Sequence, residues 1–278
     1  MQKRPIHTTI SEEAFKILER FEHELGRKNI VLEKALRCID TTRHEAILHI
    51  KDSEMPIKRL KTRVKGFDSL IGGGIPEGFI VIVTGPPGTG KTIFSLQFIQ
   101  AGAMNNEKCI FFSHEESAEQ LAKQALCFGW DMRRQIHEGL LILYGHSMLT
   151  TEEVINILNA YKPKRVVFDS INIFSDTEDF RRSAAWRSLF KLIKQEKITC
   201  LLVTEKRHGL EVKNFDDYDF MGDCIIFMDK SIHDGVEKSE ITVLKMRSTN
   251  INSTPRTFRF TKNGIDLDYI KELKQHKA

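Results

Sequence analysis

Eight consecutive residues have the types and the spacing of a phosphate-binding loop. They fit the pattern G-x-x-x-x-G-K-[ST] and are Gly85, Pro86, Pro87, Gly88, Thr89, Gly90, Lys91 and Thr92. Glycines let backbone N–H groups close around phosphate oxygens, and a helix that starts after the loop adds positive potential. In this motif the lysine reaches the β- and γ-phosphates of a nucleotide, and the hydroxyl that follows it binds Mg²⁺. The sequence therefore predicts a site for ATP in which Lys91 holds the phosphates and Thr92 binds the metal.

Asp169 is a second candidate metal ligand, because it ends the apolar run that starts at Val166. A carboxylate at the carboxyl end of a strand is where phosphate-loop enzymes hold Mg²⁺. An aspartate in this place can also cap the next turn. With the phosphate loop upstream, we expect Asp169 to serve the metal.

Two acids, Glu115 and Glu116, follow the apolar run that starts at Cys109. Ser117 and Gln120 have the spacing of a capping box for a following helix, so the two acids can simply favour that helix's dipole. Alternatively, one of them orients or deprotonates the water that attacks the γ-phosphate. The spacing alone does not decide between these interpretations.

These candidate residues lie between alternating strand-like and helix-like segments. Strands are expected at 79–84, 108–113, 140–144, 165–169, 198–204 and 224–228, and helices fill most gaps, as at 91–104 and 181–196. Such alternation is typical of a mostly parallel sheet with helices on both faces. After residue 236 the pattern becomes strand, turn, strand, which predicts an antiparallel edge. The fold class is therefore α/β.

The N-terminal part has an organisation of its own. Residues 6–10 alternate like a short strand, Ser11 can cap a helix that ends at Gly26, and a second apolar stripe runs from Leu32 to Ile39. We expect a strand–helix–helix module over residues 1–40, a linker over 41–58 and the α/β domain over 59–278. The module is too small to bury both stripes alone and needs a partner.

Composition narrows the class of protein. The chain has 278 residues, with 42 Lys and Arg against 38 Asp and Glu, a balance too mild to indicate nucleic-acid binding by itself. Its five cysteines include no CxxC pair, and no apolar run approaches the length of a membrane span. We expect a cytoplasmic protein that has no disulfide framework and no membrane partner.

From Val64 to about Leu267 the chain resembles the KaiC-like branch of the RecA superfamily of ATPases. Besides the phosphate loop, the resemblance is carried by Gly66–Asp68, Gly73–Gly78, Ser113–Ser117, Val167–Ser170, Val203–Glu205 and Lys245–Arg247. It implies a RecA-like core and ATP bound between the subunits of a ring, for which a hexamer is one possible size. It also implies that Glu115 is the catalytic glutamate and that Glu116 supports it.

The resemblance also gives a role to the run Ile241–Arg247. This run is expected to be a strand, on which residues two apart share a face, so Lys245 and Arg247 would project together while Leu244 and Met246 face the core. Without the resemblance, a solvated strand face is the simpler interpretation. The resemblance implies that Lys245 and Arg247 act on the γ-phosphate of the neighbouring subunit.

The chain departs from the family pattern in three places. It has one phosphate loop, whereas the family's clock proteins carry two tandem ATPase domains. Between Glu205 and Lys230 there is no Ser or Thr, so the self-phosphorylation of the clock proteins is not expected. Ser248 replaces the glycine that is usual after the Lys-x-Arg pair.

Residues 1–40 resemble a ribbon-helix-helix module, a fold in which two chains pair their strands and bind DNA. Pro5 at the start of the strand and the balanced charge of the first helix favour a dimerising or docking element over a DNA reader. Lys206, Arg207 and His208 lie where recombinases hold DNA loops, but a solvated basic turn is the simpler interpretation.

Three functions remain open on the sequence. The favoured one is an ATP-hydrolysing oligomeric switch that acts on an unknown protein partner. The alternatives are a DNA-binding regulator or recombinase accessory protein tuned by nucleotide, and a nucleotide-gated scaffold with negligible turnover. The first predicts ATPase activity without DNA, the second predicts DNA binding lost with residues 1–40, and the third predicts ATP binding without phosphate release.

Overall fold

The computed structural model describes residues 11–25, 27–28, 30–33, 35–36, 57–146, 149–171, 183–206, 221–233 and 235–267. The chain divides into two compact units, residues 1–56 and 57–278. The strand expected at residues 6–10, most of the expected linker and the basic pair Arg207 and His208 lie outside the described residues.

The described part of the larger unit contains a nine-stranded sheet and a separate two-stranded one. Its described strands are β1 (Arg59–Leu60), β2 (Ile75–Pro76), β3 (Ile80–Gly85), β4 (Cys109–Ser113), β5 (Leu141–Tyr144), β6 (Arg165–Asp169), β7 (Thr199–Glu205), β8 (Cys224–His233), β9 (Val236–Met246), β10 (Arg256–Thr261) and β11 (Gly264–Asp266). Within the described ranges, nine of them form a sheet in the order β11-β10-β9-β8-β3-β7-β6-β4-β5. In this spatial order the neighbours among β8, β3, β7, β6, β4 and β5 pair in parallel. The pairs β8–β9, β9–β10 and β10–β11 are antiparallel. The α/β class, the parallel core and the antiparallel edge predicted from the sequence are confirmed.

The described helices are α1 (Glu12–Leu25) in the smaller unit and, in the larger one, α2 (Phe67–Leu70), α3 (Lys91–Ala103), α4 (Ala118–Cys127), α5 (Arg133–His137), α6 (Thr151–Tyr161) and α7 (Ala184–Gln195). The helices α4 and α6 begin with capping boxes, formed by Ser117 with Gln120 and by Thr150 with Glu153. These side chains satisfy N–H groups that a helix start leaves unpaired. Local sequence therefore fixes where both helices begin.

The central strand β3 separates two apolar cores. Every residue of β3 is buried, and alternation sends Val81 and Val83 to one face and Ile80 and Ile82 to the other. The first face packs against side chains of α3 and α4, and the second against side chains of α6 and α7. Because both faces are covered, the strand is a continuous apolar run rather than an alternating one.

The strands β3, β4, β6 and β7 are parallel, so their carboxyl ends lie along the same side of the sheet, at right angles to its outer strands. In open α/β sheets this side is where ligands bind. The phosphate loop follows β3, the two candidate glutamates follow β4, and Asp169 ends β6. Topology alone therefore brings these three segments together.

The turn before β3 depends on one carboxylate and one close backbone contact. Asp68 accepts hydrogen bonds from the backbone N of Thr62 (3.0 Å), the hydroxyl of Thr62 (2.8 Å) and the backbone N of Arg63 (3.2 Å). A Cβ atom at Gly74 would stand 2.4 Å from the carbonyl oxygen of Leu60, and the φ of Gly74 is +135°. Only glycine fits at position 74, which explains one of the three consecutive glycines, Gly72–Gly74, before β3.

In the smaller unit the first predicted helix is confirmed as α1. The hydroxyl of Ser11 accepts a hydrogen bond from the backbone N of Ala14 at 3.2 Å, and Glu12 and Glu13 occupy the first turn. Residues 28, 30–33 and 35–36 are also helical, where the second apolar stripe was expected. In the described part of the chain, no helix is both long enough and apolar enough to cross a membrane.

Candidate functional site

The loop between β3 and α3 is held by backbone contacts. The φ of Gly85 is +148°, and a Cβ atom there would stand 1.9 Å from the carbonyl oxygen of Met228 on β8. The hydroxyl of Thr89 donates to the carbonyl of Pro86 at 2.9 Å. Gly90 is the N-cap of α3 and has no side chain, so it provides no side-chain acceptor for the first N–H groups of the helix. Such a helix start is suited to an anion.

Lys91 stands at the centre of this loop. Its Nζ donates to the carbonyl oxygens of Gly85 and Pro86, both at 2.8 Å, and the residue is buried. Burial lowers the pKa of the Lys91 ammonium, whereas the carboxylates of Glu205, Asp169 and Glu115 act in the opposite direction. A fixed positive charge among three carboxylates is suited to an anionic ligand that brings a divalent cation with it.

Asp169 and Thr92 form the candidate Mg²⁺ site. The Thr92 hydroxyl is hydrogen-bonded to the Asp169 carboxylate. Burial raises the pKa of Asp169 to about 6, and the nearby charges of Glu115 and Glu116 add to the rise. Mg²⁺ prefers hard oxygen ligands and is often bound through one or two protein groups plus substrate phosphates and water. The donor set and the excess of carboxylates therefore fit the metal.

The two glutamates after β4 stand in different surroundings. Glu115 is exposed at the cavity, whereas Glu116 is half-buried and its Oε1 accepts a hydrogen bond from Gln124 Nε2 at 2.7 Å. The backbone N of Glu116 donates to the Ser113 hydroxyl at 3.1 Å. The capping-box geometry expected for Ser117 and Gln120 is present as well, so the glutamates both precede a helix start and line the cavity.

One cavity of about 450 Å³ joins these segments. Its lining residues are Pro87, Gly88, Gly90, Lys91, Thr92, Ile93, Glu115, Glu116, Gln124, Asp169, Ser170, Val203, Glu205 and Phe260. Gly85, Pro86 and Thr89 are buried and form the part of the loop behind the lining. The peptide bond between Asp169 and Ser170 is cis.

Sequence reasoning gave no site role to several residues that line this cavity, among them Glu205 and Phe260. Glu205 ends β7 and lies opposite Gly85 in the parallel register of β3 and β7; its place just after an apolar run was the available sequence signal. Phe260 lies on β10, and its ring stands beside Gly90, where a Cβ atom would be 2.5 Å from it. Only the strand order brings Phe260 to the loop, so nothing in the local sequence could have indicated it. Its exposed ring gives the cavity an apolar wall.

Lys245 and Arg247 lie far from the phosphate loop of their own chain. Lys245 Nζ donates to the carbonyl of Gly222 at 2.7 Å, and Arg247 reaches Asp223 at 3.4 Å. Asp223 in turn accepts a hydrogen bond from the backbone N of Ile80, at the start of β3. The six residues of β3 separate this end of the sheet from the loop by about 17 Å.

The expected geometry of the strand that carries this pair is wrong in one respect. The register of β9 against β8 shifts between Ile225 and Ile226, whose partners are Lys245 and Val243, so Leu244 is an extra residue. Leu244 and Met246 both pack against an apolar core, as expected, but on opposite faces of the sheet instead of one. A bulge of this kind interrupts strict alternation and cannot be read from hydropathy.

Comparisons with known proteins agree with this architecture. Residues 60–272 match the family described as KaiC ATPase, and residues 10–43 match a family N-terminal domain named AF_0136_N. The circadian clock oscillator protein KaiC of Thermostichus vulcanus is 29% identical over 237 residues, which are 78% of this chain and 45% of that protein. The chain thus spans less than half the length of the clock proteins that it matches.

Two archaeal proteins match over nearly their full length. The UPF0273 protein PF1931 of Pyrococcus furiosus is 29% identical over 240 residues, covering 79% of this chain and 97% of that protein. The crystal structure of the KaiC-like protein PH0186 from Pyrococcus horikoshii has a TM-score of 0.62 and 29% identity, and covers 76% of this chain and 99% of the other.

Proposed function

Because this chain belongs to the KaiC ATPase family, we propose that its cavity binds and hydrolyses ATP with Mg²⁺ and that the protein acts as an oligomeric regulatory switch. One observation carries the proposal: the phosphate loop, Lys91, the Thr92–Asp169 pair and Glu115 all meet in one cavity of about 450 Å³. A cavity of that size suits a nucleotide.

Each group has a physical role in this proposal. The loop N–H groups and the start of α3 hold the phosphates, and Lys91 places its charge against the β- and γ-phosphates. Thr92 and Asp169 would hold Mg²⁺, which would supply positive charge against the phosphates. Glu115, exposed to the cavity, orients the attacking water and accepts its proton. Glu116 is held by Gln124 and supports this arrangement.

The placement of Lys245 and Arg247 supports a site shared between subunits. They lie at the end of the sheet opposite the phosphate loop, so they can reach a γ-phosphate only in another copy of the chain. Positive charge supplied in this way stabilises the transition state of phosphoryl transfer. ATP would then contact two neighbouring subunits of the ring. Hydrolysis would change the contacts between subunits and the accessibility of the N-terminal module.

The test is phosphate release by the purified full chain with ATP and Mg²⁺, compared with the Lys91→Ala variant. Loss of the fixed charge should remove nucleotide binding and turnover together, and EDTA should stop turnover in the wild type. Lys123→Ala is the matched control, because Lys123 lies on the exposed side of α4 and pairs with Glu119. If Lys91→Ala binds a labelled ATP analogue with wild-type affinity, the nucleotide site lies elsewhere.

The same assay, run with single- and double-stranded DNA, separates the switch from a DNA regulator. The switch should release phosphate at the same rate without DNA, with single-stranded DNA and with double-stranded DNA. ATP binding without phosphate release would point instead to a scaffold.

A further inference from the structure

A second cavity of about 330 Å³ lies beside the antiparallel edge of the sheet. One wall is the segment that carries Arg63 and Lys65, and the other is the β10–β11 hairpin with Arg259, Lys262 and Asp266. It shares none of its lining residues with the nucleotide cavity, although both touch α3 and β10.

A buried side chain of α3 ties the two walls together. Gln97 Nε2 donates to the carbonyl of Arg63 at 2.8 Å, and its Oε1 accepts from the backbone N of Ile265 at 3.0 Å. The backbone N of Leu267 also donates to the carbonyl of Lys65 at 3.0 Å. The cavity is therefore preformed, because hydrogen bonds from the interior fix both walls.

The backbone at Arg63 is held in an unfavourable conformation. Its φ is +59°, in the left-handed region that non-glycine residues seldom adopt. Asp68 accepts its N–H and Gln97 donates to its carbonyl, so contacts on both sides maintain the strain. Strain that is maintained in this way is found at binding sites more often than elsewhere.

Among the described residues the lining is mostly basic. It contains four cations, Arg63, Lys65, Arg259 and Lys262, and one carboxylate, Asp266, which lies 3.4 Å from Lys65 Nζ; Arg63 Nη1 also lies 3.6 Å from Met104 Sδ. The fields of cations around one concavity add together, and low-dielectric walls strengthen the result. Such a field attracts an anion into the cavity.

We propose that this second cavity is a binding site for a small phosphorylated anion. Arginine and lysine together provide forked and single N–H donors, the set that phosphate oxygens accept best. The volume admits a small ligand rather than a polymer. Because α3 and β10 belong to both cavities, such an anion is placed to modulate the nucleotide site.

The test is calorimetric titration of the full chain with inorganic pyrophosphate, with the nucleotide cavity saturated by a non-hydrolysable ATP analogue and excess Mg²⁺. The wild type should bind about one equivalent per chain. The double variant Arg63→Gln/Lys262→Gln removes one cation from each wall and should bind at least tenfold more weakly. The double variant Lys238→Gln/Arg256→Gln removes two cations outside the cavity and should bind like the wild type.

Three outcomes would overturn the proposal. The first is no binding by the saturated wild type. The second is an equal loss of affinity in both double variants, which would show only a response to net charge. The third is citrate binding as tight as pyrophosphate, which would remove the assignment to phosphate. Because the comparison is between cations inside and outside the second cavity, it decides the proposal even if the chain hydrolyses no ATP.

Discussion

Glu115 and Glu116 are neighbours in sequence, but their surroundings suit different roles. Glu116 is anchored by Gln124, and its Oε2 is buried without a hydrogen-bond partner among the described residues. Glu115 is exposed to the cavity that Lys91 and Asp169 share. A carboxylate at the open side can orient water, whereas an anchored one positions the loop that carries its neighbour.

We therefore expect Glu115→Gln to lower ATP turnover by about 10²-fold or more while ATP affinity is kept, because an amide cannot accept the proton of the water. Single-turnover phosphate release and titration with a labelled ATP analogue measure the two effects. Glu119→Gln, on the exposed side of α4, is the matched control and should turn over normally. Equal turnover in Glu115→Gln and wild type would show that Glu115 only favours the dipole of the following helix. A comparable loss of turnover in Glu116→Gln alone would identify Glu116 as the residue that acts on the water.

At the scale of elements, sequence patterns predicted which segments form the sheet and where the phosphate loop lies. The apolar runs and capping boxes are local, so β3, β4, β6, α4 and α6 could be predicted from them. Contacts between distant segments could not. The ring of Phe260 at Gly90 depends on strand order, and the bulge at Leu244 depends on the register between β8 and β9.

The burial of Arg165 is another property that could not be predicted from the sequence. This arginine looks like a surface residue at the start of β6, yet it is fully buried. Its Nε donates to Glu107 Oε2 at 2.5 Å, and its Nη1 donates to the carbonyls of Lys61 (2.8 Å) and Phe98 (2.9 Å). The guanidinium therefore joins β6 to the segment before α2 (Lys61), to α3 (Phe98) and to the segment before β4 (Glu107).

We expect Arg165→Met to lower the free energy of unfolding by about 3–5 kcal/mol, because it leaves a carboxylate and two carbonyl oxygens without their donor. Urea unfolding of the full chain measures the change. Arg134→Met is the control, since Arg134 is exposed and forms an ion pair with Glu138, the residue directly after α5, and its unfolding midpoint should not move. An Arg165→Met midpoint equal to wild type would show that the buried network contributes no net stability.

At the scale of the whole molecule, we propose that Lys245 and Arg247 complete the nucleotide site of a neighbouring chain. Mixing Arg247→Ala with Lys91→Ala subunits should restore part of the lost activity, because some mixed interfaces join an intact loop to an intact arginine. Phosphate release by the mixture, compared with each variant alone, measures the recovery. No recovery in mixtures shown to co-assemble would place the arginine outside the site.

The central claim is that assembled chains hydrolyse ATP at the cavity of Lys91, Asp169 and Glu115. Its most direct measurement is phosphate release per chain over a wide range of protein concentration, with light-scattering mass recorded on the same samples. The account predicts Mg²⁺-dependent turnover that rises steeply as oligomers form and that is absent from Lys91→Ala at every concentration. Turnover that stays constant in a proven monomer, or wild-type release no greater than that of Lys91→Ala, would contradict it.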